Sequence, residues 1–498
     1  MVRARVAVAS GNHLGAEAGA EVARNGGNAV DACLASSVMA WVAEPCFASV
    51  TGAGFVTVHD PSGEVIVYDG NCAMPRRPPQ DRGQGVSRIY LEYSNGMYTG
   101  IGGGSVAVPG VLAAVHRAWE RHGSIEWEAL FEPAIRAARD GLPLPKTCDY
   151  YLKQTWGIWS RYESARALLG KDDRPLEENE ALVQEELADA LYAIARSGPQ
   201  VLYSGELARE LAVAIATDGG LVTAEDLASY EVRERAPVTT EAFGWSIASN
   251  PPPAVGGAVL VHMLSLIEDA APSGPLARLN AVVAAEETAV SYRELHYGDP
   301  ADIAAGLSDV LAGGTPSRSS ETTHSSAADR DGLGCALTQS NGYGAGLVVH
   351  GMVLNNTLGE EELNPLGTHR LPPGARCHSN MAPTIARGPE RVVALGSPGG
   401  DRITGAIAQT ILSLALDGSA LADAVAAPRA HVARRPEGKL LCYEPGLPGG
   451  EIDGDYLDRP YDEVHMFFGG VQAASVSEDG RVDAAHDPRR SGASALTA

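Results

Sequence analysis

The stretch GGTPSRSSETTHSSAADRDG, residues 313–332, contains Glu321-Thr322-Thr323-His324-Ser325, and its reading decides the fold. By composition it holds little that packs into a core, which predicts a surface loop or linker. Upstream of it the chain is helix-rich. Residues 281–297 and 257–267 are long helical runs, the second following the rigid break Asn250-Pro251-Pro252-Pro253. Helical spacing recurs at 206–217, 182–197, 127–140 and 111–122. Nearer the start, GFVTVHDPSGEVIVYDG (54–70) places two β-rich runs around a Pro-Ser-Gly turn and predicts a hairpin. Asn28 caps a predicted helix over 29–42 that is apolar almost all round and therefore buried. A first helix, 14–25, is stopped by Gly26-Gly27. Downstream of the stretch the period switches to two: Leu333, Cys335 and Leu337 alternate, and short strands follow at 347–349 and 352–354. Residues 392–395 read as a buried strand and 403–416 as a helix. Helices and strands are mixed on both sides, which argues for one interleaved α+β unit rather than two separate domains.

Composition narrows the function classes. The chain has 498 residues, 45% hydrophobic and 20% charged, so it buries a sizeable core and is not globally disordered. Acidic residues outnumber basic ones 62 to 38, with no Lys/Arg-rich run, which argues against a nucleic-acid or anionic-membrane partner. No apolar run approaches the ~20 residues that cross a bilayer. The apolar Val6-Ala7-Val8-Ala9 is shorter than the roughly 7–15 residues of a signal-peptide core. Seven cysteines, scattered singly with no CxxC pair, disfavour a disulfide framework or zinc ribbon. Together these features predict a cytoplasmic protein.

Several motifs fail. Gly100-Ile101-Gly102-Gly103-Gly104-Ser105 lacks the lysine of a P-loop and the third glycine of the dinucleotide fingerprint, so it reads as a turn. No HExxH occurs and the 13 histidines show no metal-ligand spacing; His116 and His122 read as surface or core histidines on one helix. No Gly-x-Ser-x-Gly elbow is present. No cofactor or metal is expected.

What lifts Glu321-Thr322-Thr323-His324-Ser325 above a Ser/Thr-rich linker is its company. Downstream stand Leu337-Thr338-Gln339-Ser340-Asn341-Gly342, Leu354-Asn355-Asn356-Thr357-Leu358-Gly359-Glu360-Glu361, Ser379-Asn380-Met381-Ala382-Pro383-Thr384 and Gly396-Ser397-Pro398-Gly399-Gly400. Upstream stand Gly26-Gly27-Asn28-Ala29-Val30-Asp31-Ala32, Glu44-Pro45, Ser105-Val106-Ala107-Val108-Pro109-Gly110 and Leu221-Val222-Thr223-Ala224-Glu225-Asp226-Leu227. The triple proline before Gly256-Gly257 and Asp487-Pro488-Arg489-Arg490 complete the set. In this order and spacing the blocks resemble the γ-glutamyltranspeptidase family of N-terminal-nucleophile (Ntn) hydrolases, over nearly the whole chain.

The resemblance implies a four-layer αββα sandwich and a precursor that cuts itself before its nucleophile. Carried over, Thr322 attacks the carbonyl of Glu321, giving a large subunit, 1–321, and a small subunit, 322–498, that stay together as one composite domain. The chemistry needs this. A threonine hydroxyl is a weak nucleophile, and an α-amino group, with a pKa near ~7.7–8.0, is a base on the same residue once the bond is cut. The same resemblance makes Gly399 and Gly400 the oxyanion hole, Ser340 the second hydroxyl and Asn341 the nearby asparagine. Asn71, Asn341, Glu360, Ser379 and Asn380 become the substrate-binding residues.

The sequence departs from the family at the glutamyl pocket. Asn71 stands where γ-glutamyl-specific members carry an arginine that clamps the substrate α-carboxylate; an amide offers hydrogen bonds but neither charge nor a bidentate fork. Arg76 and Arg77 are the nearest replacements. Glu360 stands for the usual aspartate, Thr357 for a glutamine and Asn380 for a serine. The expected function is acyl transfer from a γ-glutamyl or related small acyl substrate to water or an amine. The runner-up is a natural-product hydrolase of the same family acting on a non-glutamyl substrate, including C–C bond hydrolysis. An uncleaved, non-catalytic binding homologue is the third reading. The oligomeric state above the subunit pair is left open.

Overall fold

A computed structural model describes residues 5–93, 96–296, 322–364, 367–435, 438–448, 451–452 and 454–498 of the chain. Two antiparallel sheets form its centre. The first has seven strands. In chain order these are β1 (Val6–Ser10), β2 (Ala53–His59), β3 (Val65–Gly70), β4 (Arg233–Arg235), β7 (Thr323–Asp329), β8 (Gly334–Ser340) and β13 (Ala493–Thr497). They lie side by side as β4-β3-β2-β8-β7-β1-β13. The second, six-stranded sheet runs β5 (Val238–Ala242), β6 (Trp245–Ser249), β9 (Thr384–Arg387), β10 (Arg391–Gly396), β11 (Gln472–Ser477), β12 (Val482–Ala485). In both sheets, segments from before and after residue 322 pair directly, so the two parts of the chain are interleaved. The content is α+β.

The helices grow from local signals. Helix α1 (His13–Arg24) is capped by Asn12, whose side chain accepts from Gly15 N at 2.6 Å. Helix α2 (Ala29–Ala43) begins in an Asn28/Asp31 capping box, which satisfies two of the donors a helix start leaves open. All fifteen of its residues are buried, because one side meets α1 and the other meets β7 and β8. The hairpin β2–β3 forms around the Pro-Ser-Gly turn as the sequence predicts. On the six-stranded sheet lie α3 (Val255–Asp269), which packs on β5 and β6, and α4 (Arg402–Leu416), which packs on β10. The sheets face each other through β7, β8 and β1 on one side and β10 and β11 on the other.

One expectation is overturned. From Thr323 to Asp329 the polar stretch is not a surface loop but β7, buried along its length in the middle of the seven-stranded sheet, and only residues 330–332 form an exposed turn. Its hydroxyls are accommodated because each finds a partner. Ser325 bonds Ser36 on α2 at 2.9 Å, Ser326 donates to the Gln472 carbonyl at 3.2 Å, and Thr323 donates to Glu44 at 2.8 Å. Buried polar groups are tolerated when hydrogen-bonded. Residues 297–321, with Glu321 and the rest of the stretch, lie outside the described residues.

Candidate active site

The alternation of a strand sets which side chains reach the site. On β7, Thr323 and Ser325 face α2, and His324 and Ser326 face the second sheet. Parity therefore aims Thr322 between the sheets. On β8, Gln339 faces α2, accepting from Trp41 Nε1 at 2.6 Å and donating to the Ser37 carbonyl at 2.8 Å. Ser340 falls on the opposite face with Thr338. Since Thr323 pairs with Gln339, Thr322 and Ser340 stand at the ends of adjacent strands and on the same side. Two consecutive threonines thus have different fates. Thr323 is committed to the Glu44 carboxylate, which also accepts from Asn12 at 2.8 Å, and only Thr322 reaches a cavity.

That cavity, about 330 Å³, brings together Asn71, Thr322, Ser340, Glu360, Ser379, Asn380 and Gly400. Most of the residues selected from sequence therefore meet, although they come from positions 71 to 400. Thr357, Leu363, His378, Met381 and Ile403 complete most of the lining. His378 was missed by sequence reasoning; its place directly before Ser379 was the available signal. It is buried and bonds the Leu363 carbonyl through Nδ1 at 3.0 Å, and burial lowers its pKa. Two selected residues do not line the cavity. Asn341 donates to the Pro45 carbonyl at 3.0 Å and shapes the loop after β8. Gly399 is set back against Gly469.

Beneath the paired hydroxyls lies His324, also missed. Ser326 donates to Gln472, so it accepts from His324 Nε2–H at 2.8 Å; Nδ1 then accepts from Thr338 at 2.8 Å. Burial depresses the pKa of this imidazole to about 3, leaving it neutral between the sheets.

Asn71 lines the cavity, but its amide is engaged inward. Nδ2 donates to the Cys377 carbonyl at 2.6 Å, and Oδ1 accepts from Cys72 N at 2.9 Å. Arg76 turns elsewhere, bonding Ser229 and lining a separate cavity with Tyr230 and Arg376. The lining of the Thr322 cavity contains one carboxylate, Glu360, and no lysine or arginine among the described residues.

The glycine turn closes the opposite wall. Gly399 and Gly400 have φ of +123° and +58°, conformations that L side chains rarely adopt. The turn is held from behind. Arg402 N donates to the Gly399 carbonyl at 3.0 Å, and Arg402 pairs with Asp401 at 2.8 Å. Asp401 in turn faces His431 at 3.7 Å, whose other nitrogen lies 3.3 Å from Glu286. Burial disfavours the imidazolium, but Glu286 and Asp401 outweigh it and raise the His431 pKa to about 9.

Asp487 and Arg489, part of the last block, also serve structure. Arg489 pairs with Glu444 and Asp487, and Asp487 with Arg429 at 2.7 Å, all buried. Among the described residues there is no cluster of His, Cys, Asp and Glu able to hold a metal ion, and no helix long and apolar enough to cross a membrane.

Comparison with known proteins gives concordant results. The family model Gamma-glutamyltranspeptidase matches residues 15–313 and 307–497. The chain is 28% identical to the glutathione hydrolase proenzyme of Escherichia coli (strain K12), covering 97% of this chain and 90% of that protein. It is also 28% identical to the Acylase ACY 1 proenzyme of Pseudomonas sp. (strain SE83), over 95% and 90%. The crystal structure of cephalosporin acylase from Bacillus halodurans superposes with a TM-score of 0.80 at 21% identity, covering 99% of this chain and 96% of that one, a likeness of fold.

Proposed function

Because the chain belongs to the γ-glutamyltranspeptidase family and is an Ntn-type hydrolase/acyltransferase, we propose that it matures by cutting itself between Glu321 and Thr322, with Thr322 as nucleophile. The observation that carries this reading is the separation of the two threonines: Thr322 opens into the cavity with Ser340, Asn71, Glu360, Ser379, Asn380 and Gly400, while Thr323 is bound to Glu44. The composite unit is then a four-layer αββα sandwich of subunits 1–321 and 322–498; α1 and α2 against one sheet, and α3 and α4 against the other, support it.

In maturation the Thr322 hydroxyl adds to the Glu321 carbonyl. The peptide C–N bond gives way to an ester on Thr322 Oγ, which frees the Thr322 α-amine, and water then hydrolyses that ester to a Glu321 carboxylate and the Thr322 hydroxyl. In turnover that amine accepts the hydroxyl proton as Oγ attacks the substrate carbonyl. The oxyanion develops beside Gly400, with Gly399 shaping the turn so that backbone N–H groups face it; removing one such donor typically costs ~3–4 kcal/mol of barrier. The proton passes to the leaving group, and water or an amine resolves the acyl-Thr322 ester. Ser340 bonds the nucleophile, Asn341 holds the loop that carries Ser340, and Glu360, Ser379 and Asn380 bind the acyl group.

A γ-glutamyl amide is the first substrate to test, but one observation favours a different acyl group. A γ-glutamyl moiety brings a carboxylate, and among the described residues the cavity offers it no lysine or arginine: Asn71 is engaged with Cys377 and Arg76 lies elsewhere. A neutral or ammonium-bearing acyl group, facing Glu360, fits better. That is the non-glutamyl reading, including a natural-product hydrolase. We place the protein in the cytoplasm, a reading supported by the buried cysteines Cys33, Cys46, Cys72, Cys148, Cys335 and Cys377, none of which forms a disulfide.

Mass spectrometry of purified protein tests the mechanism, with a new N-terminus at Thr322 and two chains on a denaturing gel expected. A single chain of ~52 kDa at neutral pH refutes it and leaves the binding homologue. Release of 4-nitroaniline from γ-glutamyl-4-nitroanilide by processed protein decides between the substrates.

A further inference from the structure

On the other side of the oxyanion turn lies an open cavity of about 680 Å³ that the mechanism above does not use. Gly400 and Ile403 line the Thr322 cavity and Arg402, between them in the chain, lines this one, so both cavities adjoin the same turn and helix start. Its walls are aromatic: Tyr93, Tyr150, Tyr461 and Phe467, the last two stacked at 5.5 Å with planes 17° apart. Arg459 holds its guanidinium 5.6 Å over the Tyr461 ring, and Arg402 sits 4.8 Å over Phe467 while donating to the Phe467 carbonyl at 2.8 Å.

We infer that this cavity binds the leaving-group half of the substrate, a planar aromatic ring bearing a carboxylate or similar anionic substituent. The inference rests on Thr322 being the acyl-forming residue, since that assigns the first cavity to the acyl half. Stacked aromatic walls favour a flat ring, which gains from offset stacking and edge contacts. The polar groups are mainly donors. Besides the two guanidiniums there is His465, whose Nδ1 accepts from Phe467 N at 3.0 Å, so in the neutral ring the proton sits on Nε2. Among the described residues Glu92 is the only carboxylate in the lining. Among the described residues the acyl cavity has the reverse polarity, one carboxylate and no lysine or arginine, so the pair fits a substrate with a neutral or cationic acyl half and an anionic aryl half.

The test is calorimetric titration of the purified full-length protein with 4-aminobenzoate, an aryl amine carrying a carboxylate. Aniline and cyclohexanecarboxylate are the controls. Each control is expected to bind at least tenfold more weakly, one lacking the anion and the other the ring. Arg459→Ala and Tyr461→Leu lie on the half-exposed rim and each should weaken 4-aminobenzoate at least tenfold with the circular dichroism unchanged. No binding at millimolar ligand overturns the proposal. So does binding that both variants leave intact, or that Glu360→Gln abolishes instead. Binding is read without turnover, so the two proposals fail separately. Acyl-enzyme formation without aryl binding overturns this inference alone, and rim-dependent aryl binding in a protein that never cuts at Thr322 supports the aromatic site while removing its assignment to a leaving group.

Discussion

Replacing Thr323 by valine separates the two neighbouring threonines most cleanly. Valine keeps the shape of the side chain, so no cavity opens, and what is lost is the hydroxyl that donates to Glu44 at 2.8 Å. Glu44 is buried at the end of α2, and there Asn12 also bonds it at 2.8 Å while capping α1. A hydrogen bond to a charged group contributes about 1.5–3 kcal/mol, so the substitution should destabilise the fold by about 2 kcal/mol. A processed two-chain protein does not unfold in one reversible step. The measurement is therefore urea unfolding of the single-chain Thr322→Ala precursor with and without Thr323→Val. In the otherwise native protein, Thr323→Val should still cut itself and turn over substrate, whereas Thr322→Ala should do neither. A stability difference below about 0.5 kcal/mol refutes the Glu44 network. Loss of cleavage in a folded Thr323→Val protein, or its survival in Thr322→Ala, refutes the assignment of the nucleophile.

Other consequences follow from the same geometry. His431 has a folded pKa of about 9, above its unfolded value near ~6.5. Its contribution is fully present below that unfolded value and is lost as pH rises through about 9, with a slope of at most about 1.4 kcal/mol per pH unit; His431→Gln should flatten this alkaline loss in precursor unfolding. His324 behaves in the opposite sense. Its pKa, depressed to about 3, gives stability that is present above ~6.5 and lost as pH falls toward 3. His324→Gln should therefore reduce the acid sensitivity of the precursor. Gly396→Ala places a Cβ 2.3 Å from His324 Cε1 and should cost about 1–3 kcal/mol through overpacking, measured by the same unfolding. Asn71→Arg breaks the bonds to Cys377 and Cys72 in a buried site and should cost a similar ~1–3 kcal/mol. It should also fail to create γ-glutamyl-4-nitroanilide hydrolysis; a gain of more than tenfold refutes the inward engagement of that position.

What was legible in the sequence was local or carried by resemblance. The cap at Asn28, the apolar run after it and the Pro-Ser-Gly hairpin announce themselves within about fifteen residues, and they form as read. The blocks in order pointed to the family and to most of the cavity lining, from Asn71 to Gly400. The polar stretch departs from its expected surface loop over Thr323–Asp329 for a physical reason. Hydroxyl-rich sequence has no core signature of its own, and the partners that make burial tolerable, Glu44, Ser36 and Gln472, lie 279, 289 and 146 residues away. Only the tertiary structure decided which threonine meets the cavity, because strand parity and sheet position set it. Only the tertiary structure turned Asn71 toward Cys377 and Arg76 into another cavity, leaving the Thr322 cavity without a lysine or arginine among the described residues. The sequence by itself determined the family, through residue types and their order. The polarity of the two cavities beside the turn at Gly399 and Gly400 depends on which side chains are already engaged elsewhere, and that is a property of the folded chain.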